Sequence, residues 1–311
     1  MKEYVLNYYK NFKCIDKNCK HTCCAGWQVS IDKESLEKYK NDSSNFYNKF
    51  KSGINFKKSK FKLDRLKRCA FLDDTGLCEI IKNCGEESLC QVCKDHPRFR
   101  SFFSDRVELG LGFCCEEATR IILTFNDKIE LILVNDDKVN KPLDFIEEKV
   151  IEFRKTALEI VQDRKSTIND RIEKLLSICK VNIRDIDFNK TIKRFLTFEK
   201  IDKNWTAKLK KIKVNFNLET DEKFSLSFEQ FMVNSLYRHL SSAEDVVLCR
   251  ARAIACVISW LIIKNVIQLN LVDKDLIEIA IDVIREYSTE VEYSIKNLEK
   301  LYDYCFKLIK I

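Results

Sequence analysis

Residues that break helices are nearly missing from this chain: 6 Gly and 2 Pro stand in 311 positions. Ordinary usage would make these two types about 12% of a globular chain. Tight turns draw on glycine for positive φ and on proline for a preset φ. A sandwich, a barrel or any turn-dense fold is therefore disfavoured, and long helices are expected. The six glycines also write no G-x-G-x-x-G and no G-x-x-x-x-G-K-[ST], so the usual dinucleotide and phosphate loops are excluded. With 45% apolar and 33% charged residues the chain can bury a core and stay soluble.

Cysteine is the other outlier. Of 15 cysteines, 11 lie within the first 115 residues, and Cys179, Cys249, Cys256 and Cys305 are scattered through apolar helical patterns, where they read as core. An odd total argues against a closed disulfide framework. Met1 to Cys14 shows no apolar signal-peptide core, so a reducing, cytoplasmic setting is expected. There, dense cysteine reads as metal binding or catalysis. The most apolar run, Ala253 to Ile263, is closed by Arg252 and Lys264 and is too short to span a bilayer, so no membrane partner is expected.

Composition changes near residue 125. Residues 1–125 carry 23 Lys+Arg against 17 Asp+Glu, and the remainder 32 against 31. The expected fold is mainly α with little β. Residues 1–125 form a cysteine-rich, irregular or helical metal-binding domain, and 126–311 form an all-helical domain. Apolar residues recur at helical spacing over Leu143–Ile178, Phe228–Leu240, Val246–Ile267, Val272–Ile284 and Val291–Ile309. Asp221, Ser241 and Asp273 sit where N-caps belong. Leu123–Val134 is β-branched and weakly alternating, which suggests a short strand or hairpin.

The cysteine spacing is Cys14-x4-Cys19-x3-Cys23-Cys24, then Cys69-x8-Cys78-x5-Cys84-x5-Cys90-x2-Cys93, then Cys114-Cys115. Soft thiolates favour zinc, copper(I) or iron–sulfur clusters. Paired C-x2-C knuckles would favour zinc, but Cys90/Cys93 has no matching second pair. A [4Fe–4S] cluster on four thiolates is the simplest single answer. Some of these thiols are expected to be buried small hydrophobes instead. A Cys-x3-Cys-x2-Cys loop is begun by Cys19 and Cys23 but fails at Gly26. His21, His96 and His239 are the only imidazoles, a thin basis for Cys–His nucleophilic catalysis.

Three blocks resemble the flagellin lysine-N-methylase family. The first runs from Phe12-Lys13-Cys14-Ile15 through Cys19 to Thr22-Cys23-Cys24-Ala25-Gly26-Trp27-Gln28-Val29, with Ile31-Asp32 and Tyr39 behind it. The second is Cys69-Ala70-Phe71-Leu72-Asp73 with Gly76-Leu77-Cys78-Glu79-Ile80. The third runs from Gly85-Glu86-Glu87-Ser88-Leu89 to Cys93, with Pro97-Arg98 and then Cys114. A fainter likeness continues at Phe228 to His239. The family cysteines that carry over are Cys14, Cys19, Cys23, Cys24, Cys69, Cys78, Cys93 and Cys114; Cys84 and Cys90 fall outside the pattern. The resemblance implies a [4Fe–4S] cluster, S-adenosylmethionine as methyl donor and flagellin lysines as acceptors. The other readings are a non-catalytic zinc- or iron-chelating protein and an iron–sulfur redox protein. No residue is assigned to the donor pocket or to the catalytic base; Trp27 and Tyr39 are among the aromatic residues near the cysteines in sequence whose faces would suit a sulfonium.

Residues 49–68 hold nine Lys/Arg against one acid, Asp64, with Phe50, Phe56 and Phe61 interleaved. They match no known nucleic-acid module, and no nucleic-acid partner is expected. The alternatives are a solvated loop and a surface that steers an acidic partner. In the steering reading, charge reversal at Lys57, Lys58 and Lys60 slows methylation at low salt, measured as label incorporated into flagellin. An unchanged rate leaves only the solvated loop.

Overall fold

The structure is a computed structural model that describes residues 1–15, 18–23, 28–136, 141–201, 203–212, 216–271 and 275–310. In chain order the elements are β1 (Lys2–Leu6), α1 (Lys33–Lys40), α2 (Tyr47–Gly53), β2 (Ile54–Asn55), β3 (Lys60–Phe61), α3 (Glu79–Cys84) and α4 (Gln91–Asp95). Next come β4 (Arg98–Phe102), β5 (Arg106–Leu111), α5 (Glu116–Leu123), β6 (Leu131–Asp136), α6 (Phe145–Val161) and α7 (Ile168–Ile178). The remaining helices are α8 (Phe188–Phe195), α9 (Lys203–Ile212), α10 (Ser225–Leu240), α11 (Val246–Asn270), α12 (Leu276–Tyr287) and α13 (Ile295–Phe306). A π-helical turn, Ser288–Glu292, follows α12. The fold is mainly α, as the scarcity of breakers requires, with a small sheet.

Two compact units divide the chain: Lys13–Arg98, and Met1–Phe12 together with Phe99–Ile311. The composition break at residue 125 does not coincide with this division, because α5 and β6 on either side of it both lie in the larger unit. The larger unit contains the sheet, in the order β4-β5-β1-β6. β1 runs parallel to β5 and antiparallel to β6. The strand expected within Leu123–Val134 is β6, shifted toward the C-terminus; Leu123 itself closes α5.

α11 is the axis of the larger unit. Its 25 residues are apolar on nearly every side, and Trp260 at 0% exposure is ringed by Phe224, Phe228 and Phe231 at centroid distances of 6.4, 5.5 and 5.8 Å. A helix that is hydrophobic all round must be enclosed or lie in lipid. α11 is long and apolar enough to cross a membrane, so the expectation that no segment is long enough does not hold by length. The protein itself buries 72% of its most apolar stretch, as befits a core helix. Cys179, Cys249, Cys256 and Cys305 are all buried, as expected of core thiols.

Caps set the helix starts. Asp144 and Thr167 form capping boxes on α6 and α7, and Asp221 caps the 3-10 turn that leads into α10. Ser241, expected to be an N-cap, is instead the C-cap of α10; its hydroxyl donates to Tyr237 O at 2.6 Å, and Asp245 caps α11. The apolar pattern places the break between the two helices correctly, but the cap of α11 falls four residues after the expected Ser241, because Asp245 accepts from Leu248 N at 2.7 Å. Asp273 lies outside the described residues, and Asp275 caps α12.

One ion pair is buried between β5 and α6. Arg154 Nη2 donates to Glu108 Oε1 at 2.8 Å and Arg154 Nη1 to Ser241 Oγ at 2.9 Å. The guanidinium also lies over the Tyr237 ring at 4.7 Å. Removing one member of a buried pair strands the other charge, at a cost of about 3–5 kcal/mol. Glu108→Gln is expected to lose stability on that scale in urea unfolding, whereas a change below about 1 kcal/mol would show that the pair is solvated.

Candidate functional site

The smaller unit has an aromatic core. Tyr39 stacks on Phe50 with centroids 4.5 Å apart, and Phe71 meets Phe61 at 5.0 Å. Helical spacing in α2 turns Phe50 inward, and Phe61 on β3 is buried with it. These phenylalanines are therefore core rather than part of a basic–aromatic surface. Lys51, Lys57, Lys58, Lys62, Arg65 and Lys67 around them remain exposed. Tyr39 is 1% exposed, so its ring is not open to a sulfonium. Trp27 lies outside the described residues.

Two backbone devices carry cysteines onto this core. The first is the loop 69–78. Asp73 Oδ1 accepts from Thr75 N at 2.9 Å and Leu77 N at 3.0 Å, and Asp73 Oδ2 meets Lys82 Nζ at 2.7 Å. These bonds hold the Asp73 carboxyl well below the usual carboxylate range, with the Lys82 contact the largest cause. Gly76 takes φ 85°, which glycine adopts freely. The loop closes with Leu72 bridged to Cys78 and Glu79 N donating to Phe71 O at 2.8 Å. Cys69 and Cys78 thereby sit at the two ends of one tight turn, and Cys78 is the N-cap residue of α3.

The second device is the Cys90–Cys93 knuckle. Gly85, at φ 83°, turns the chain out of α3. The Tyr39 hydroxyl donates to Ser88 O at 2.7 Å and ties the following segment to α1. Asp32 works in two directions. Oδ1 accepts from Ser35 N at 2.9 Å and caps α1, while Oδ2 accepts from Gln91 N at 2.8 Å at the start of α4. Burial opposes its charge, but the Gln91 and Ser35 bonds prevail and lower its pKa.

These devices place four thiols on one core, Cys69, Cys78, Cys90 and Cys93, and the Cys23 thiol acts on two of them, Cys69 and Cys93. Cys69 and Cys90 are buried in the aromatic cluster, and Cys78 and Cys93 pack against it. Burial pushes the Cys69 thiol up to about 11, and Cys78, Cys90 and Cys23 add to the rise. The hydrogen bond between Cys93 and Cys90 pushes Cys93 far up and pulls Cys90 down, with Cys78 and Cys23 adding to the rise at Cys93. A soft cation would favour the thiolate form that burial disfavours here. Among the described residues no three Cys, His, Asp or Glu side chains stand in metal-ligating geometry. A cysteine-rich metal domain is thus not shown by the ligand geometry.

The expected ligands divide. Cys69, Cys78 and Cys93 share one core, and Cys23 acts on the Cys69 and Cys93 thiols. Cys90, outside the family pattern, joins them; its pairing with Cys93 was legible in the C-x2-C spacing. Cys84 packs on the same core, but Asp42, Lys38 and Glu87 are the groups that act on its thiol. Cys14 is exposed and Cys19 donates to His21 O at 2.7 Å. Cys24 lies outside the described residues. Cys114 belongs to the larger unit, where its thiol is hydrogen-bonded to Tyr293 and raised by burial.

A second polar centre, buried in the larger unit, was not legible as a motif. Its parts come from α10, α13 and the π-helical turn. Glu292 Oε1 lies 2.9 Å from His239 Nε2, and Oε2 lies 3.1 Å from Arg238 Nη1. Ser288 Oγ also donates to Oε2. Tyr302 Oη is 2.8 Å from His239 Nδ1. A carboxylate only accepts, so His239 Nε2 carries the proton; the neutral ring then accepts at Nδ1 from the Tyr302 hydroxyl. Burial lowers the His239 pKa against the pull of Glu292.

Burial raises the Glu292 pKa, but Arg238, His239 and Ser288 overcome it and hold the carboxyl at about 2, below its ordinary 4.5. A depressed carboxyl stabilises the fold fully above the ordinary value and loses that contribution as pH falls toward the folded one. The contribution is roughly 3 kcal/mol as an upper bound. Urea midpoints at pH 6 and pH 3 are expected to fall further for the native chain than for Glu292→Gln; equal falls would place Glu292 outside the acid response.

The chain matches curated relatives over 142 residues. A lysine-N-methylase of Salmonella choleraesuis (strain SC-B67) is 27% identical, the match covering 42% of this chain and 35% of that protein. A lysine-N-methylase of Salmonella typhimurium (strain LT2) shows the same identity and coverage. The flagellar biosynthetic protein FliU of Salmonella muenchen is 28% identical over 42% of this chain and 84% of that protein. This chain spans about a third of the length of the first two relatives. No protein-family model matches it. No solved structure matches it. The similarity agrees with the resemblance carried by the cysteine blocks: part of the chain is distantly similar to proteins named lysine-N-methylase and FliU.

Proposed function

We propose that the protein transfers methyl groups from S-adenosylmethionine to lysine side chains of flagellin in the cytoplasm, and that its smaller unit holds a [4Fe–4S] cluster. The observation that supports the cluster reading is that Cys69, Cys78, Cys90 and Cys93 lie on one core, with Cys23 acting on two of their thiols. Four thiolates satisfy such a cluster, so one of the five is spare. When bound, the cluster would cross-link stretches that otherwise share one small aromatic core. The names of the relatives support lysine methylation and a flagellar setting.

The chain's own chemistry suits the transfer. Methyl transfer is an in-line displacement, so positioning supplies much of the acceleration. The acceptor lysine must be neutral to attack, which requires desolvation or a base. The exposed lysines of 49–68 are suited to drawing in an acidic partner.

A second reading, a zinc-chelating module without catalysis, is favoured by the Cys90–Cys93 knuckle, since C-x2-C is a common zinc half-site. Anaerobic purification separates the two. The cluster reading expects a brown protein with about four iron and four sulfide per chain. It also expects Cys69→Ser and Cys93→Ser to lose most of that iron while Cys84→Ser keeps it. A colourless protein with stoichiometric zinc overturns the cluster. Radiolabel passing from S-adenosylmethionine to flagellin supports the transferase, and no transfer by the iron-loaded full chain overturns it.

A further inference from the structure

A second basic stretch lies in the larger unit, and nothing above gives it work. Residues 174–213 hold 12 Lys/Arg against four Asp/Glu, an excess of eight where the whole chain has +7. Residues 49–68 carry an equal excess, so the rest of the chain is net acidic. The second stretch begins at a groove of about 720 Å³, where α7 turns toward α8. Four cations line the groove, Lys174, Lys180, Arg184 and Lys310, against one acid, Glu173. Local backbone order sets it. α7 ends in a Schellman motif: Val181 N donates to Leu176 O at 3.1 Å and Lys180 N to Ser177 O at 2.9 Å. Val181 is buried, and Lys180 takes φ 61°, which glycine adopts freely and lysine only at a cost. Asn182 then caps the 3-10 turn Ile183–Asp185 by accepting from Arg184 N at 2.9 Å.

The four cations are not equal. Lys174 Nζ donates to Ser166 Oγ at 2.8 Å and lies 3.6 Å from Asp163, and Lys310 Nζ lies 2.7 Å from Asp185. Lys180 and Arg184 are exposed, and among the described residues neither meets an acid. Both line one groove, so an anion bound there is attracted by both. From this we propose that the groove docks an acidic peptide segment of a partner protein, with Lys180 and Arg184 each meeting a carboxylate. Arg184 offers a planar fork that takes a carboxylate through two hydrogen bonds, and Lys180 offers a point charge. The lining favours a peptide over a nucleic acid. No aromatic side chain lines the groove, so bases have no stacking platform. Glu173 opposes an unbroken run of phosphates, whereas a peptide also presents N–H groups from which Glu173 can accept. Each exposed pair contributes little alone, so the binding is weak, salt-sensitive and fast to form. The proposal does not depend on the methyl-transfer reading, because it invokes neither the donor nor the cluster.

The test follows the anisotropy of a fluorescein-labelled hexaglutamate peptide titrated with the full chain at low and at high salt. Binding that weakens as salt rises is expected. Lys180→Gly removes one charge and relieves the backbone, so its thermal midpoint is expected to match or exceed that of the native chain. Combined with Arg184→Gln, it is expected to weaken the peptide roughly tenfold at low salt, as the loss of two exposed ion pairs would. Lys57→Gln with Lys58→Gln removes the same charge from the other basic stretch and is expected to leave the affinity within about twofold. Equal weakening by the two double variants would reduce the effect to net charge and overturn the groove. An unchanged affinity in the Lys180→Gly, Arg184→Gln chain overturns it too, as does a native chain that leaves the peptide free. Displacement of the peptide by an oligothymidylate of equal charge, at lower concentration than unlabelled hexaglutamate, overturns the peptide in favour of a nucleic acid. Flagellin is absent from these titrations, so failure of the methylation reading leaves their result standing.

Discussion

The burial of α11 on all sides is the constraint on which the larger unit depends. A helix with no polar face has to be walled in, and α6, α7, α9, α10, α12 and α13 supply the walls. The walls must also satisfy the polar groups that α11 carries inside. Lys264 donates to Asn217 O at 2.6 Å and Glu219 O at 2.7 Å, and Asn265 meets the same segment. Burial still pulls the Lys264 pKa down to about 8. Polar groups so deep are costly unless bonded, which pins the irregular segment before α10 to the helix.

α10 carries the same demand further. Glu229 receives Arg164 at 2.8 Å, Asn234 donates to Leu111 O at 3.1 Å, and His239 ends the helix in the carboxylate–imidazole chain. This is the stretch where the family likeness resumes faintly. Its polar residues lie inside, where each needs a partner, so their spacing answers to tertiary contacts rather than to solvent.

The smaller unit stands on a different footing. Its core is a single aromatic cluster with about a dozen buried residues. A core this small supplies only about 3–5 kcal/mol. Asp32, Asp73 and Gly85 compensate through local backbone order, and they orient the thiols as they do so. A bound metal would add a cross-link where the apolar core is thinnest.

How much of this was legible differs by element. The helices over 225–240, 246–270, 276–287 and 295–306 follow from apolar spacing, because that signal is local, whereas the run expected over Leu143–Ile178 is broken by the Thr167 cap into helices over 145–161 and 168–178. The mainly α class follows from the missing breakers for the same reason. Asp32, Asp73 and Cys69 appeared in the quoted blocks, yet nothing in them said that Asp32 would also hold Gln91, 59 residues away. Phe50, Phe61 and Tyr39 were readable as aromatic but not as inward-facing, since that depends on which neighbours cover them. Ser241 and Asp245 compete for one cap, and the geometry of the turn between α10 and α11 decides it. The sequence by itself determined the mainly α class, most of the long helices, caps to within a few residues, and a store of soft ligands, but not the four-stranded sheet. Only the tertiary structure decided which thiols share the small core and that Glu292, His239 and Tyr302 are joined by hydrogen bonds, because those contacts join residues far apart in the chain and no local period encodes them.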